Sequence, residues 1–288
     1  MIVQEALRQA VHSLQARGIP DARLEGELLL MHSLGWERVR LLSHGDAPIP
    51  QEGKRAFAAN LQRRLQREPL PYILQSREFF GLEFYVDSRV LIPRPETELL
   101  VEEALSYART VAPTGARPLR IADIGTGSGA IAISLAVNLP DALVCATDIS
   151  PDALDVAAIN AQRHGVSHRV LLLQGDLLEP LPAPVDILVA NLPYVSEVAL
   201  RSLPPEISPG EPALALKGGK EGTEIISRLL LQVKGRVCPP GLILLEIGDD
   251  QSAPLLRLTR ENLPGARAAV IKDLAGLDRV LGLVIESL

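Results

Sequence analysis

The sequence predicts a parallel, doubly wound α/β domain carried behind a small N-terminal helical bundle, and three observations predict it. From about residue 119 onward, short apolar runs of strand length alternate with amphipathic segments of helical period. A glycine-rich turn, Gly125-Thr126-Gly127-Ser128-Gly129, falls where the first of those runs gives way to a helix, as in Rossmann-like folds. The first 75 residues, by contrast, show helical periodicity alone.

In order along the chain, Ala6, Leu7, Ala10, Val11 and Leu14 recur at helical spacing from Val3, and Gly18 with Pro20 ends that run. A second helix begins near Asp21, carries Leu24, Leu28 and Leu29 on one stripe and closes at Gly35. A third spans roughly Gln51 to Glu68, where Pro69 and Pro71 interrupt it. Residues 1–75 therefore form a helical domain. Residues 76–91 read as a β-hairpin connector, because Glu78 to Val86 holds three of the four Phe residues and sets Gly81 between two aromatic runs. Past Pro93 and Pro95, a helix rich in Glu96, Glu98, Glu102 and Glu103 opens the third region, residues 92–288. Its strands are expected at Leu119 to Ile124, Leu143 to Thr147, Val170 to Gln174, Asp186 to Ala190 and Leu242 to Ile247, with helices at Ala130 to Val137 and Asp152 to Arg163. Ligands of such a sheet sit at the carboxyl ends of its strands.

Composition narrows the chemistry. With 288 residues, 47% hydrophobic, the chain has material for a sizeable core and two domains. A net charge of -6 without a Lys/Arg block disfavours general attraction to nucleic-acid phosphates. The one basic cluster, Arg63, Arg64 and Arg67, reads as a solvated helix face. Cys145 and Cys238 lack CxxC spacing or nearby His, which argues against zinc and against a disulfide framework. No run of about 20 apolar residues occurs, and the chain starts on an amphipathic pattern, so a cytoplasmic protein without a membrane segment is expected.

The glycine turn and its surroundings point to a nucleoside-bearing cofactor. Asp123 precedes the turn, its glycines let a ligand approach the backbone, and Asp148 ends the next strand 23 residues after Gly125. That is close to the roughly 20-residue spacing at which a carboxylate accepts from ribose hydroxyls. Asp148 is equally suited to cap the helix that follows Pro151. Asp176-Leu177, after the third strand, is placed for an adenine edge and face, or is a polar turn followed by a core leucine. Gly125, Gly127 and Ala130 also satisfy a dinucleotide fingerprint, so a dehydrogenase is the rival reading. Against it stand the Asp123 and Gly129 pattern, typical of adenosylmethionine sites, and the lack of a His or Lys hydride-transfer residue near a later strand end.

Asn191-Leu192-Pro193-Tyr194 then supplies the reaction type. A planar NH2 group is a poor nucleophile, so an enzyme that alkylates one must hold its N–H bonds with acceptors and aim the nitrogen at the electrophile. The Asn191 carboxamide oxygen and the Leu192 carbonyl are such acceptors, Pro193 stiffens the turn, and Tyr194 offers an aromatic face to a flat amide.

On these residues the chain resembles the release-factor glutamine methyltransferases, the HemK/PrmC family of protein-(glutamine-N5) methyltransferases. The likeness runs nearly full length through Asp21 to Glu25, Arg77 to Gly81, Ile92-Pro93-Arg94-Pro95-Glu96-Thr97-Glu98, the glycine turn and Asn191 to Tyr194. It continues through Glu211 to Leu214, Leu245 to Gly248 with Gln251, and Asp273 to Gly276 with Arg279-Val280. The resemblance implies a class I fold dependent on S-adenosylmethionine, with Asp123, Gly125, Thr126, Gly127, Ser128, Gly129, Asp148, Asp176, Leu177 and Asn191 binding the cofactor. It also implies that Asn191, Leu192, Pro193 and Tyr194 hold the glutamine of the Gly-Gly-Gln loop of class I peptide release factors for direct SN2 transfer, without a metal. Pro204-Pro205 and Glu211-Pro212 are expected at the pocket rim, and the N-terminal domain serves recognition or stabilisation. The family normally has proline where this chain has Leu192, which implies a less preorganised turn and a reduced rate before loss of activity. Alternatives are amino methylation of nucleic acid or of another protein, and a non-catalytic cofactor-binding protein. A monomer that makes no direct contact with nucleic acid is expected.

Overall fold

A computed structural model describes residues 1–111, 117–203 and 210–286. The chain divides into two compact units, one built on Met1–Gln75 and the other on Ser76–Pro204 with Glu211–Leu288.

The first unit is helical: α1 (Val3–Ala16), α2 (Ala22–Leu34), α3 (Arg38–Ser43), α4 (Gln51–Leu65) and α5 (Leu70–Leu74). Helix α1 buries Val3, Ala6, Ala10 and Leu14, one face of a 3.6-residue period, and Glu5 accepts from the Ile2 N–H to close its first turn. Helix α2 stops at Gly35, whose left-handed φ of 61° favours glycine. The core of Val3, Ala6, Leu29, Leu30, Leu41, Phe57 and Ile73 draws on all five helices. The basic cluster departs from the solvated face expected of it. Arg64 is buried and donates from Nε to Glu25 at 2.6 Å, Arg63 pairs with Glu68, and Arg67 donates to the Arg17 carbonyl. Helical spacing put the three arginines on neighbouring positions, but the face Arg64 occupies is the one that packs on α2.

In the second unit β1 (Arg77–Phe79) and β2 (Leu82–Phe84) form the expected hairpin, turned by Phe80 and Gly81 with φ of 50° and 71°. Two successive positive φ values make the mirror-image two-residue turn that matches strand twist. The hairpin is part of this unit rather than a separate connector. Phe79 and Phe84 pack edge to face, with centroids 6.1 Å apart, in the same core as Leu100, Val101 and Ala104 of α6 (Glu98–Val111), and the Phe80 N–H donates to Glu98 at 2.8 Å. Aromatic packing, unlike a linker, requires a partner core.

The rest alternates as read: β3 (Arg120–Ile124), α7 (Ala130–Asn138), β4 (Leu143–Asp148), α8 (Pro151–Arg163), β5 (Val170–Gln174) and β6 (Val185–Ala190). Then follow β7 (Val195–Ser196), α9 (Glu197–Leu200), β8 (Lys217–Gly219), α10 (Glu224–Gln232), β9 (Val237–Glu246), α11 (Ser252–Asn262), β10 (Ala266–Lys272) and β11 (Asp278–Ile285). The seven-stranded sheet runs β10-β11-β9-β6-β3-β4-β5; five strands from β5 to β9 are parallel, and β11 is antiparallel to both neighbours. Strand residues alternate between two cores, Ile121, Ile187 and Val189 to one face and Ala122, Leu188 and Ala190 to the other. Between β3 and β6 the strand order reverses, which opens a crevice at their carboxyl ends.

Candidate active site

A cavity of about 270 Å³ occupies that crevice, and all its walls belong to the second unit. The glycine turn forms one wall. The N–H groups of Gly125 and Thr126 both donate to the Thr147 carbonyl at the end of β4, at 2.8 and 2.9 Å, which bends the chain out of the sheet. Gly125 (φ 71°) is required twice over, since a Cβ there would also lie 2.9 Å from Leu192 Cδ2. Gly127 has φ 55° with open space where a Cβ would point, and its N–H donates to Asp148 Oδ2 at 2.9 Å. Asp148 Oδ1 accepts from the Ser150 N–H at 2.9 Å. The cap of α8 is Ser150, whose Oγ accepts from the Ala153 N–H, so Asp148 is released from that role and lines the cavity. Burial pushes its carboxyl above the usual range, against the pull of the N–H groups of Ser150, Gly127 and Ile149.

Thr126, Ser128, Asp176 and Leu177 also line the cavity. Asp176 is held by Arg228, itself a lining residue, so its carboxylate reaches the cavity already paired. Leu177 is buried, and its carbonyl accepts from Thr147 Oγ1 at 3.1 Å. Neither Asp123 nor Gly129 is among the lining residues. Asp123 is fully buried beneath the turn, where Oδ2 accepts from Thr126 Oγ1 at 2.6 Å and from the Ala132 N–H at 3.1 Å. Its desolvation pushes the carboxyl up to about 7. Gly129 (φ 81°) serves packing, because a Cβ there would lie 2.7 Å from Ile133 Cδ1 and 3.3 Å from Ala157 Cβ of α8.

The opposite wall follows β6. Asn191, Leu192 and Pro193 line the cavity, with Leu192 buried over Gly125. Tyr194 does not line it. Its ring packs against the core on one face of the sheet, and its hydroxyl donates to Glu246 Oε1 at 3.1 Å. Desolvation and the charge of Glu246 push the phenol well above its ordinary value. The other Glu246 oxygen accepts from Thr97 Oγ1 at 2.7 Å, and Thr97 Oγ1 in turn accepts from Asn191 Nδ2 at 3.0 Å. Burial raises the Glu246 carboxyl; the two hydroxyls and the charge of Arg279 pull it down, while Glu96 pushes it up.

Several residues that build this site were missed by sequence reasoning as site residues. Thr97 and Glu246 are two. Asn160 is a third: it accepts from the Tyr85 N–H at 2.7 Å and donates to the Tyr85 and Ser128 carbonyls at 2.9 Å, fastening the segment that carries Arg89, Val90 and Leu91 into the cavity wall. Gly218, Gly222 and Gln251 lock the Asn191 to Tyr194 turn from behind. A Cβ on Gly218 would stand 2.7 Å from Tyr194 Cα and one on Gly222 2.4 Å from the Tyr194 carbonyl, which accepts from Gln251 Nε2 at 2.8 Å. Glu211, expected at the rim, is buried and pairs with Arg94, with its neighbour Pro212 lining the cavity. Pro204 and Pro205 lie outside the described residues. Among the described residues there is no cluster of metal-ligating side chains.

Residues 5–74 match the PrmC N-terminal domain and residues 102–203 the methyltransferase small domain. The chain is 43% identical over 280 residues to the release factor glutamine methyltransferase of Moorella thermoacetica, covering 97% of each, and 37% identical to that of Chlorobaculum tepidum, covering 99% of this chain and 97% of the relative. The chain belongs to the release factor glutamine methyltransferase family. Among solved structures, it shares its fold with the N-terminal domain of human METTL16 in complex with SAH, at TM-score 0.52 and 20% identity over 78% of this chain and 84% of that one. The ribosomal protein L11 methylase of Lactobacillus delbrueckii subsp. bulgaricus superposes at TM-score 0.50 with 21% identity, covering 73% and 90%.

The cofactor of this family is S-adenosylmethionine, and the residues present fit it. A backbone turn kept free of Cβ atoms at Gly127, a carboxylate at the end of β4 and the apolar surfaces of Ile149 and Leu177 offer a nucleoside its three needs: close backbone approach, a hydroxyl acceptor and a flat apolar wall.

Proposed function

We infer that this chain is an enzyme that transfers a methyl group from S-adenosylmethionine to the side-chain amide nitrogen, N5, of a release-factor glutamine, the one in the Gly-Gly-Gln loop of class I peptide release factors. The observation that carries the reading is the shared cavity: the Gly125 to Ser128 turn with Asp148 forms one wall, and the Asn191-Leu192-Pro193 turn forms the other. When bound, the cofactor supplies an electrophilic methyl on a sulfonium. The chain's own contribution is positioning. The Asn191 carboxamide oxygen and the Leu192 carbonyl accept the N–H bonds of the target amide, which fixes the nitrogen and favours the positive charge that develops on it. Leu192 contributes through its main chain, so leucine in place of proline keeps the acceptor. Tyr194 acts through its tie to Glu246 and supports the turn.

The acidic chain, net charge -6, suits a protein target rather than a nucleic-acid backbone, and a monomer in the cytoplasm beside the translation machinery meets the needs of such a reaction. No helix among the described residues is long and apolar enough to cross a membrane.

The test is mass spectrometry of the Gly-Gly-Gln peptide from an unmodified release factor after incubation with the protein and S-adenosylmethionine, alongside Asn191→Ala. A single methyl on the glutamine, lost in the variant, is the expected result. Cofactor binding without methyl transfer to glutamine overturns the substrate reading.

A further inference from the structure

Glu246 is an expensive residue to keep. It is 2% exposed at the end of β9, and its hydrogen-bond partners among the described residues are two hydroxyls, Thr97 Oγ1 at 2.7 Å and Tyr194 Oη at 3.1 Å. Arg279 acts on it only through its field, its guanidinium being engaged by Asp273. A buried carboxylate held by neutral donors costs free energy that an amide or an apolar side chain in its place avoids. Such a group, beside a cavity and tied to a residue that lines it, is a candidate for a functional role.

The role follows from what each group can donate. An ionised carboxylate is acceptor-only, so with Glu246 charged both hydroxyls that face it donate to it. A threonine hydroxyl has a single proton. Once that proton points at Glu246, Thr97 Oγ1 meets its other neighbour, the Asn191 carboxamide at 3.0 Å, with lone pairs only. Asn191 must therefore turn its NH2 toward Thr97 and its Oδ1 away. A carboxamide in the opposite orientation would present donors where an N–H of the target has to be held.

We propose that Glu246, acting through Thr97, is the positioning residue that fixes the polarity of the Asn191 carboxamide, so that an acceptor and never a donor faces the target nitrogen. The proposal rests on the reading that Asn191 holds that nitrogen. The fold brings the relay together: Ala190 and Leu245 are register partners on the adjacent parallel strands β6 and β9, so the residues that follow them, Asn191 and Glu246, end side by side. Thr97, buried just before α6, fills the place between them. Glu246 does not line the cavity, and Thr97, which does, acts through its hydrogen bond to Asn191 rather than on the substrate.

Relay and plain packing predict different kinetics. Thr97→Val keeps the shape but removes the acceptor for Asn191. Glu246→Gln keeps the shape but offers only one oxygen to two hydroxyls, so one of them is left facing a donor. Each variant is expected to lower kcat on an unmodified release factor by about 10- to 100-fold, with cofactor affinity close to wild type and the fold intact at the assay temperature, Thr97→Val melting somewhat earlier because it leaves a buried carboxylate oxygen and the Asn191 NH2 without their partner. Thr97→Ser, which restores the hydroxyl, recovers most of the rate. The double variant Thr97→Val/Glu246→Gln is no slower than Thr97→Val alone, because both act along one line. Wild-type kcat in either single variant overturns the proposal, as does a double variant whose loss is the product of the two, or a Thr97→Ser as slow as Thr97→Val.

A second readout needs no substrate. The Asn191 side-chain NH2 resonances, assigned by their disappearance in Asn191→Ala, are expected to exchange slowly with solvent in the wild type and faster in Thr97→Val and Glu246→Gln. Unchanged exchange in both variants overturns the relay. If the wild type transfers no methyl to glutamine while the resonances respond as described, the substrate reading fails and the relay stands.

Discussion

Gly218→Ala tests whether the Asn191 to Tyr194 turn has to be held to within a fraction of an ångström. A Cβ on Gly218 would lie 2.7 Å from the Gly222 carbonyl and from Tyr194 Cα, and 2.8 Å from the Pro193 carbonyl. All three atoms are backbone, so no side chain can swing aside. Restoring an ordinary 3.4 Å contact from 2.7 Å needs a displacement of about 0.7 Å, and β8 pairs with β7 directly behind the turn. Overpacking of this kind costs about 1–3 kcal/mol of stability. Its larger effect is on the reaction, because a shift near 1 Å in a positioning group costs on the order of 100-fold in rate. Steady-state kinetics of release-factor methylation should show kcat down about 100-fold, while cofactor affinity measured by calorimetry falls by much less, since Gly218 reaches the Gly125 to Ser128 wall only indirectly, through Leu192. Gly35→Ala is the control. Gly35 has a left-handed φ, 61°, with nothing within 4 Å of a Cβ there, so Gly35→Ala should lose about 1 kcal/mol of stability and no activity. Wild-type kcat in Gly218→Ala would show that the turn tolerates the displacement and that the positioning argument is wrong.

Asp148→Asn replaces one acceptor with a donor where Asp148 receives the Gly127 and Ser150 N–H groups and faces the cavity. Its Kd for S-adenosylmethionine should rise roughly 10- to 100-fold, a loss of about 1.4–2.8 kcal/mol, and an unchanged Kd by calorimetry would leave Asp148 as a turn residue only. Asp123 has its carboxyl pushed up to about 7 by burial, against about 3.9 in an unfolded chain. The native state therefore binds a proton that the unfolded state has released; this contribution to stability is full below about pH 4 and is lost as pH rises through about 7, by at most about 1.4 kcal/mol per pH unit. Urea titrations should show Asp123→Asn gaining on the wild type from pH 5 to pH 8, and a constant difference would contradict the assignment. Arg64→Ala leaves Glu25 largely buried without its cation and should destabilise the N-terminal unit by about 3–5 kcal/mol, seen as an earlier unfolding transition of the full chain; a loss under about 1 kcal/mol would mean that the pair is solvated.

The parallel strands and the walls of the cavity were legible because their signals are local. Near-continuous apolar runs of strand length flank helical segments, the glycine turn sits at a strand end, and Asn191 follows β6 directly. The β10-β11 pair was not anticipated, although Val280 to Ile285 of β11 is apolar: β10 is half-exposed along its length, with Arg267 and Lys272 bracketing only four apolar residues. Burial of Arg64 was illegible for a different reason: the carboxylate that receives it lies 39 residues away on another helix. The same holds for the support of the site. Thr97 and Glu246 are 149 residues apart and Asn191 and Thr97 are 94 apart, so nothing in the spacing of either pair signals a hydrogen bond. Gly218 and Gly222 carry no signal in the sequence; the backbone of Pro193 and Tyr194 lying against them is what leaves no room for a Cβ.

Leu192 shows how local and tertiary constraints exchange roles. Proline at that position would fix φ and stiffen the turn by itself. Leucine leaves φ free, yet its side chain is 4% exposed and reaches so far over Gly125 that a Cβ on that glycine would be 2.9 Å from Leu192 Cδ2. The same contact ties the acceptor turn to the cofactor turn, because moving Leu192 means moving it against Gly125, whose N–H is pinned to Thr147. Pro193 still restricts the backbone of Leu192, as it does any residue before a proline. Stiffness that one ring would supply covalently is thus distributed over a packed side chain, a following proline and a neighbouring strand end. Rigidity of the acceptors, rather than proline at that position, is what methyl transfer to a planar nitrogen demands.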